Sequence, residues 1–439
     1  MTRMKESGID WIGQIPEEWE VIKFKYLGDV RQGLTYSPSD IVDRDEGILV
    51  LRSGNIQNGV LDFTNNVYVK TKVAESIVLR KNDILITARN GSSALIGKNA
   101  MIDTDIKATF GAFMMVFRTN KSLIAKFAFY LMNISFNFYR TFFTTSTVNQ
   151  LTAAIFNGIE VSLPSISEQQ KIADFLDKKT AQLDKVKTIL EEQIQKLKDY
   201  RASLIYETVT KGLDKTVPVK DSGIDWIGQV PEGWGVSKLK FTLEKVSNNI
   251  KVGPFGSSLS GDAIRSSGKW VYNQRNVLDN NFTETDTFIS DAKWKELKNF
   301  SVVSGDILLT TRGTIGRIAI VPKDYFEGIL HPCLMRFRVD SHIVQPRLIK
   351  YFFNDTTLVK EQLKFLSNST TIDVIYSYNL KNIIIPIIPL EEQYGIVEYL
   401  DKQCSNVDAL IKVKQEQIDN INKQRQTLIY DYVTGKRRV

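Results

Sequence analysis

Two stretches set an arginine at a strand end ahead of a loop of small residues: LRKNDILITARNGSSALIG at 79–97, with Arg89, and VVSGDILLTTRGTIG at 302–316, with Arg312. Backbone N–H groups of Gly, Ser and Thr beside a guanidinium form an anion-contacting turn suited to phosphate, with Ser92 and Thr314 as the loop hydroxyls. A second reading is equally open, in which each arginine pairs with the preceding Asp83 or Asp306 and the glycines only close a hairpin. A further pair, GILVLRSGNIQNGVL at 47–61 and GKWVYNQRNVLDNNF at 268–282, puts Arg52 with Asn55, and Arg275 with Asn276, at a strand end. Guanidinium and carboxamide groups make bidentate contacts with guanine and adenine edges; surface turns use the same residues. Polar loops at 144–150, with Thr147 and Asn149, and at 367–371, with Ser369 and Thr370, precede the last strand of each half and belong to the same class.

Catalytic constellations are poorly represented. Asp286 or Asp291 with Glu296 and Lys298 comes nearest to a metal-dependent nuclease, but Asp291 to Lys298 reads as one charged amphipathic turn with no counterpart in the first half. There is no Pro-Pro pair of the kind amino methylation uses, and no Gly-x-x-x-x-Gly-Lys-Ser/Thr phosphate loop. The two cysteines, Cys333 and Cys404, and the two histidines, His331 and His342, do not recur between halves, which argues against a disulfide or metal site built into a repeat. No catalytic residue, metal or cofactor is expected in this chain.

The elements that position these residues are duplicated. Lys5 to Val21, KESGIDWIGQIPEEWEV, returns as Lys220 to Val236, KDSGIDWIGQVPEGWGV, with 13 of 17 positions identical. Glu168, Gln169, Ile172, Leu176, Asp177, Asp184, Leu204, Ile205, Tyr206 and Val209 reappear as Glu392, Gln393, Ile396, Leu400, Asp401, Asp408, Leu428, Ile429, Tyr430 and Val433. Between these segments the halves agree only in short islands, so one scaffold carries two contents. The expected division is 1–162, 163–212, 213–388 and 389–439, two mixed α/β, strand-rich domains each followed by a long helix. Strands are expected at Ile48–Leu51, Asp83–Thr87, Phe113–Phe117, Ile159–Leu163, Asp306–Thr310, Leu334–Phe337 and Ile383–Ile387, with helices near Ser122–Tyr139 and Pro346–Phe365.

From Glu168 to Lys211 there is neither Pro nor Gly; Ser167 is the expected N-cap and Gly212 the stop. The second copy runs from Glu391 to about Thr434, before Gly435. Leu400, Cys404, Val407, Ile411, Lys414, Ile418, Ile421, Arg425, Leu428 and Tyr432 alternate spacings of four and three, a heptad seam. Leu176, Leu183, Leu190, Ile194, Leu197, Arg201 and Leu204 occupy the equivalent places. Each narrow stripe must be buried, and the other copy offers a matching one. The expected result is an intramolecular antiparallel coiled coil with pseudo-twofold symmetry, ~65 Å long, serving as a spacer.

The net charge of +7 lies mostly in the domains: 18 basic against 16 acidic side chains in residues 1–162, and 22 against 18 in 213–388. The helical segments are nearly neutral, at 9 against 8 and 8 against 8. The placement fits a nucleic-acid partner met by the domains. No apolar run approaches the ~20 residues of a membrane span. The start, MTRMKESGIDW, lacks a signal-peptide stretch, so a cytoplasmic location is expected.

Taken together, the paired SGIDWIG-x-[IV]-PE-x-W segments, the Gly-Asp-Ile-Leu island near 306–316, the KVGPFGSSL segment at 251–259 and the Glu-Gln helix openings resemble the specificity subunit of type I restriction-modification systems over essentially the whole chain. The resemblance implies two target recognition domains, each reading half of a split, asymmetric double-stranded DNA site. The helices would dock two modification (methyltransferase) subunits, and restriction subunits (ATP-dependent translocase and nuclease) would join them. S-adenosylmethionine, ATP and Mg would then belong to those partners. The first-half loop is longer, with Asn82 where the second half has Gly305. Half-sites about one DNA turn apart, ~34 Å or ~10 base pairs, or a multiple of it, are expected. Two rivals are a coiled-coil scaffold with two protein-interaction domains and no DNA affinity, and a stand-alone nuclease.

Overall fold

The computed structural model describes residues 3–143, 149–366 and 374–439. It falls into two compact units, Met1–Glu191 with Gln415–Val439, and Glu192–Lys414, so the division runs through both long helices rather than between repeats.

In the first unit the two four-stranded sheets use β1 (Gly28–Gln32), β2 (Ile41–Val42), β3 (Ile48–Leu51), β4 (Tyr68–Val69), β5 (Ile84–Thr87), β6 (Asn99–Met101), β7 (Ala108–Phe110) and β8 (Met114–Thr119). They build an antiparallel sheet of order β6-β5-β8-β1 and a mixed sheet of order β7-β3-β4-β2, in which β3 and β7 run parallel. Helix α1 (Ala125–Tyr139) and the opening of α2 (Ile166–Lys211) cover the first sheet.

The second unit repeats this with β9 (Ile250–Val252), β10 (Lys269–Tyr272), β11 (Phe288–Ile289), β12 (Ser301–Val302), β13 (Ile307–Thr310), β14 (Ile318–Ile320), β15 (Gly328–Leu330) and β16 (Leu334–Phe337). The sheet orders are β14-β13-β16-β9 and β11-β10-β15-β12, again with one parallel pair, β10 and β15. The antiparallel sheets match strand for strand. The mixed sheets differ at the edges: β2 extends one side in the first unit, and β12 the other side in the second.

The interior strands carry fully buried Ile, Leu, Val and Phe on β5, β8, β13 and β16, as expected where both faces are covered. Helix α3 (Pro346–Asn354) stops where one helix to Phe365 was expected, and a separate helix follows at Thr357–Leu366. The physical reason is Asn354. Its carboxamide accepts from Ile318 N–H at 2.9 Å and donates to Ile318 C=O at 2.8 Å, tying the helix end to the edge of β14, while Asp355 turns toward Arg201 at 2.7 Å.

Helices α2 and α4 (Leu390–Val433) have the expected length and stops, with Gly212 and Gly435 at φ +71° and +73°. A Cβ on Gly435 would lie 2.4 Å from Pro16 Cδ, so the residue is fixed by close approach as well as by backbone. The N-cap expected at Ser167 lies inside the helix; Ser165 instead accepts from Glu168 N–H at 3.4 Å.

Both units show the helices antiparallel. In the first, Asp184 meets Arg425 at 3.5 Å and the Phe175 ring packs tilted against Tyr432 with centroids 4.5 Å apart; in the second, Arg201 meets Asp408 at 3.2 Å and Gln193 accepts from Lys414 at 2.7 Å. Leu176, Leu190, Ile194, Leu400, Val407 and Ile418 are buried, whereas Leu183, Leu197, Leu204, Ile411, Ile421 and Leu428 are half-buried. Toward the helix ends the buried phase moves one residue, to Ile205 and Ile429, because these turns also face the domain cores.

The repeated segments join domain to helix through the same bonds twice. Trp19 Nε1 donates to Glu168 at 3.1 Å, and Trp234 Nε1 to Glu392 at 2.9 Å. Buried Gln169 accepts from Ile124 N–H at 2.9 Å and donates to Ser122 and Pro164 carbonyls; buried Gln393 accepts from Gln345 N–H at 2.8 Å and donates to Ile343 and Ile388 carbonyls. Replacing Gln169 with Leu strands one N–H and two C=O groups in the core, and is expected to cost the first unit about 3 kcal/mol. Urea unfolding of the purified chain measures it, and Gln393→Leu should produce a loss of the same size.

Candidate nucleic-acid interface

The two arginine loops of the first unit converge because their frames are bonded together. β3 ends in Arg52, followed by the short helix Ser53–Asn55. Ser53 Oγ accepts from Thr87 Oγ1 at 3.2 Å, and its carbonyl accepts from Lys98 Nζ at 3.4 Å, which joins this turn to the β5–β6 hairpin. Arg89 leaves the end of β5, where its N–H donates to Phe113 C=O at 3.0 Å and its backbone bridges Gln150. An open cleft of about 1090 Å³ results, with Arg52, Arg89, Asn90, Tyr36, Phe113 and Asn149 among its walls. Ser92 stands exposed on the same hairpin, and Asn149 donates to Gly91 C=O at 3.2 Å, fastening the later loop to it.

The pairing of Arg89 or Arg312 with the preceding aspartate does not occur. Buried Asp83 is taken by Arg118 through two 2.7 Å bonds, which hold the Arg118 guanidinium above its usual pKa. Buried Asp306 is taken by Arg338 at 2.5 Å, with Arg336 at 3.7 Å. Arg89 and Arg312 are exposed and form no ion pair with a described carboxylate. The glycines do close hairpins, as the other half of that reading held: Gly97 and Gly316 sit at φ +82° and +80°, each N–H donating to the last residue of the preceding strand.

Asn55 and Asn276 are corrections. Both are buried, and neither carboxamide is open to a base edge. Asn55 accepts from Arg52 N–H at 2.9 Å and donates to Asp62 C=O at 2.9 Å. Asn276 accepts from Asn273 N–H at 2.9 Å and donates to the Asn281 and Glu284 carbonyls at 3.0 Å. The amide serves the turn because an unpaired buried carboxamide would be costly.

This matching also fixes the register between domains: Arg52 corresponds to Asn273, Ser53 to Gln274, and Gly54 to Arg275. The second domain therefore carries its guanidinium two positions further along the turn. Arg275 is exposed and lies 3.6 Å from Asp286. Gln274, which the sequence reading passed over, takes the place of Ser53 and donates to the Arg312 and Thr314 carbonyls at 3.0 and 3.3 Å. Thr314 is exposed. His331 was also missed: its Nδ1 accepts from Cys333 N–H at 3.1 Å, and burial, together with nearby Arg312, holds it below the usual histidine range. It is therefore neutral near pH 7 with Nε2–H free to donate. Thr147, Ser369 and Thr370 lie outside the described residues.

The loops thus present guanidinium, hydroxyl, amide and imidazole groups on turns whose buried carboxamides are satisfied internally. No group of three or more His, Cys, Asp or Glu side chains that could hold a metal occurs among the described residues, and no described helix is long and apolar enough to cross a membrane.

Comparison with known proteins places this arrangement. The family model for the type I restriction modification DNA specificity domain matches twice, at residues 16–198 and 234–422. The EcoKI specificity subunit of Escherichia coli (strain K12) is 24% identical over 436 residues, covering 97% of this chain and 90% of that protein. The MjaVIII specificity subunit of Methanocaldococcus jannaschii is 26% identical over 436 residues, covering 97% and 94%. A solved structure concerned with assembly and conformational transition of the type I R-M system contains a chain of the same fold, with TM-score 0.70, 16% identity, and 95% of this chain and 98% of that one covered. With two family domains that together span most of its length, the chain belongs to the type I restriction-modification DNA specificity family.

Proposed function

We propose that this chain is the sequence-reading subunit of a type I modification complex, in which each unit binds one half of an asymmetric split DNA site. The observation that carries this reading is the pair of arginine-bearing turns held by the same carboxamide bonds and exposing different side chains. Matched turns put the two loops against the same feature of the duplex, and different exposed side chains make the half-sites different. Arg89 and Arg312, with Ser92 and Thr314, serve phosphates; Arg52 and Arg275 serve base edges.

In this proposal the paired helices set the gap between half-sites and dock two modification subunits. Methyl transfer from S-adenosylmethionine takes place in those partners, and ATP- and Mg-dependent translocation and cleavage in restriction subunits, so this chain recognises and does not catalyse. The test is to co-express it with a modification subunit from its own genomic neighbourhood and map methylated adenines by long-read sequencing. A split asymmetric motif with a fixed gap supports the reading; a stable complex that methylates nothing overturns it in favour of a scaffold.

Two outcomes follow from the assignment of roles. Arg89→Ala should weaken binding evenly across sequences and lower the slope of log K against log salt by about one, whereas Arg52→Ala should relax preference at one base position at a cost of about 1–3 kcal/mol. Fluorescence titrations of the assembled complex at several salt concentrations separate the two. Inserting four residues in both helices between Ala181 and Tyr200, and at the matching place in α4, should change the gap in the methylated motif and leave both half-site sequences intact.

A further inference from the structure

Each domain exposes a phenylalanine ring beside its arginine-bearing hairpin, and it arises from a different turn in each domain. In the first, Phe113 is 65% exposed in the turn between β7 and β8 and lines the cleft together with Arg52 and Arg89. The Ala88 and Arg89 N–H groups both donate to its carbonyl. In the second, Thr311 N–H donates in the same way to Cys333 C=O, so the place of Phe113 is taken by a half-buried cysteine.

The ring has moved to the neighbouring turn. Gly33 and Gly253 are equivalents: each N–H donates to the first residue of the neighbouring strand, Met114 or Leu334, and a Cβ on either would lie 2.2 Å from the carbonyl oxygen of Gly111 or His331. Two residues beyond them the first domain has Thr35, and the second has Phe255, which is 85% exposed. The two turns touch backbone to backbone, so the apolar group shifts between adjacent supports while the arginine-bearing hairpin stays in place.

A single exposed apolar side chain on a protein surface calls for no explanation. Phe113, a phenyl ring in the wall of a cleft that two guanidinium groups also line, is a different matter. Guanidinium groups meet acceptor atoms of guanine or phosphate, and the one apolar feature on a major-groove base edge is the C5 methyl of thymine. We propose that Phe113 in the first domain and Phe255 in the second are specificity-determining residues that contact a thymine C5 methyl, each fixing one A·T pair of its half-site. This rests on the DNA-reading function proposed above and adds which base feature the apolar group reads. The displacement of the ring between turns then places the fixed A·T pair at a different distance from the phosphate-contacting arginine in each half.

The assembled modification complex is titrated with duplexes carrying its own mapped site, each thymine replaced in turn by deoxyuridine, which lacks only the methyl. At one position of the half-site read by the first domain, wild type should lose about fivefold in affinity, the worth of one buried methyl group. Phe113→Ala should lose as much on the thymine duplex and nothing further on the deoxyuridine duplex, while Phe113→Leu should retain most of the thymine preference. Phe255→Ala should behave in the same way at one position of the other half-site. Alanine variants that bind the thymine duplex as tightly as wild type, or penalties that simply add at every position, would overturn the assignment. So would 2-aminopurine fluorescence that rises beside that position with wild type and not with Phe113→Ala, since the ring would then be wedged between bases. A wild-type complex that binds no split site removes the recognition function itself, and this assignment with it.

Discussion

The buried carboxamides of Gln169 and Gln393 are the constraint on which the rest depends. Each sits in the first turn of a long helix, where backbone N–H groups lack intrahelical partners. Each ties that turn to two other pieces of chain: the segment entering the domain helix, and the strand that leads into the long helix. The adjacent Glu168 and Glu392 bind the indoles of Trp19 and Trp234 from the repeated segments. Acidic side chains at these positions also complement the positive end of the helix dipole. The domain is thereby fixed to its helix through satisfied hydrogen bonds inside an apolar core, where breaking one is costly.

Each unit is completed by the end of the helix that starts in the other repeat. Tyr430 donates to Trp11 C=O at 2.9 Å, Ser162 to Val433 C=O at 2.9 Å, and Arg438 pairs with Glu18 and Glu168 at 2.5 and 2.6 Å. In the second unit Tyr206 donates to Trp226 C=O at 3.4 Å, at the corresponding place. The N-terminal segment thus packs on the C-terminal helix end as the internal repeat packs on the end of α2. Domain cores and the adjoining helix ends form continuous apolar clusters, so these helix turns are ordered by the same burial that folds the domains.

Much of this was legible in the residues. Repetition of the Trp-bearing segment and of the Glu-Gln openings announced the duplication, and the alternation of three and four announced the seam. The strand runs were read closely because ILVL and ILIT are aliphatic or β-branched, LMRF is largely apolar, and all three are bounded by turn residues. Other features depended on partners far away in sequence. Nothing local distinguishes Asn55, consumed by its own turn, from an exposed amide; the deciding fact is the carbonyl of Asp62 at 2.9 Å. The helix break at Asn354 was hidden for the same reason, since its partner is the edge of β14. Phe113 and Gln274 carried no motif because each was read alone, without the cleft that gives it meaning.

The division between satisfied and unsatisfied polar groups explains how one frame holds two contents. Asp83 with Arg118, Asp306 with Arg338, and the turn carboxamides of Asn55 and Asn276 are buried and bonded within the frame. Removing one partner of such a pair leaves an uncompensated buried charge or polar group at several kcal/mol, so these positions are held by folding alone. Arg52, Arg89, Arg275 and Arg312 stand on the same turns with their guanidinium groups at the surface, where substitution costs little stability. A guanidinium has moved two positions between Arg52 and Arg275, and a phenyl ring has moved one turn between Phe113 and Phe255, with the antiparallel sheet beneath unchanged in strand order. Under the proposed function, specificity changes by exchange of exposed groups on fixed turns, because the energy that holds the turns lies in the residues buried beneath them.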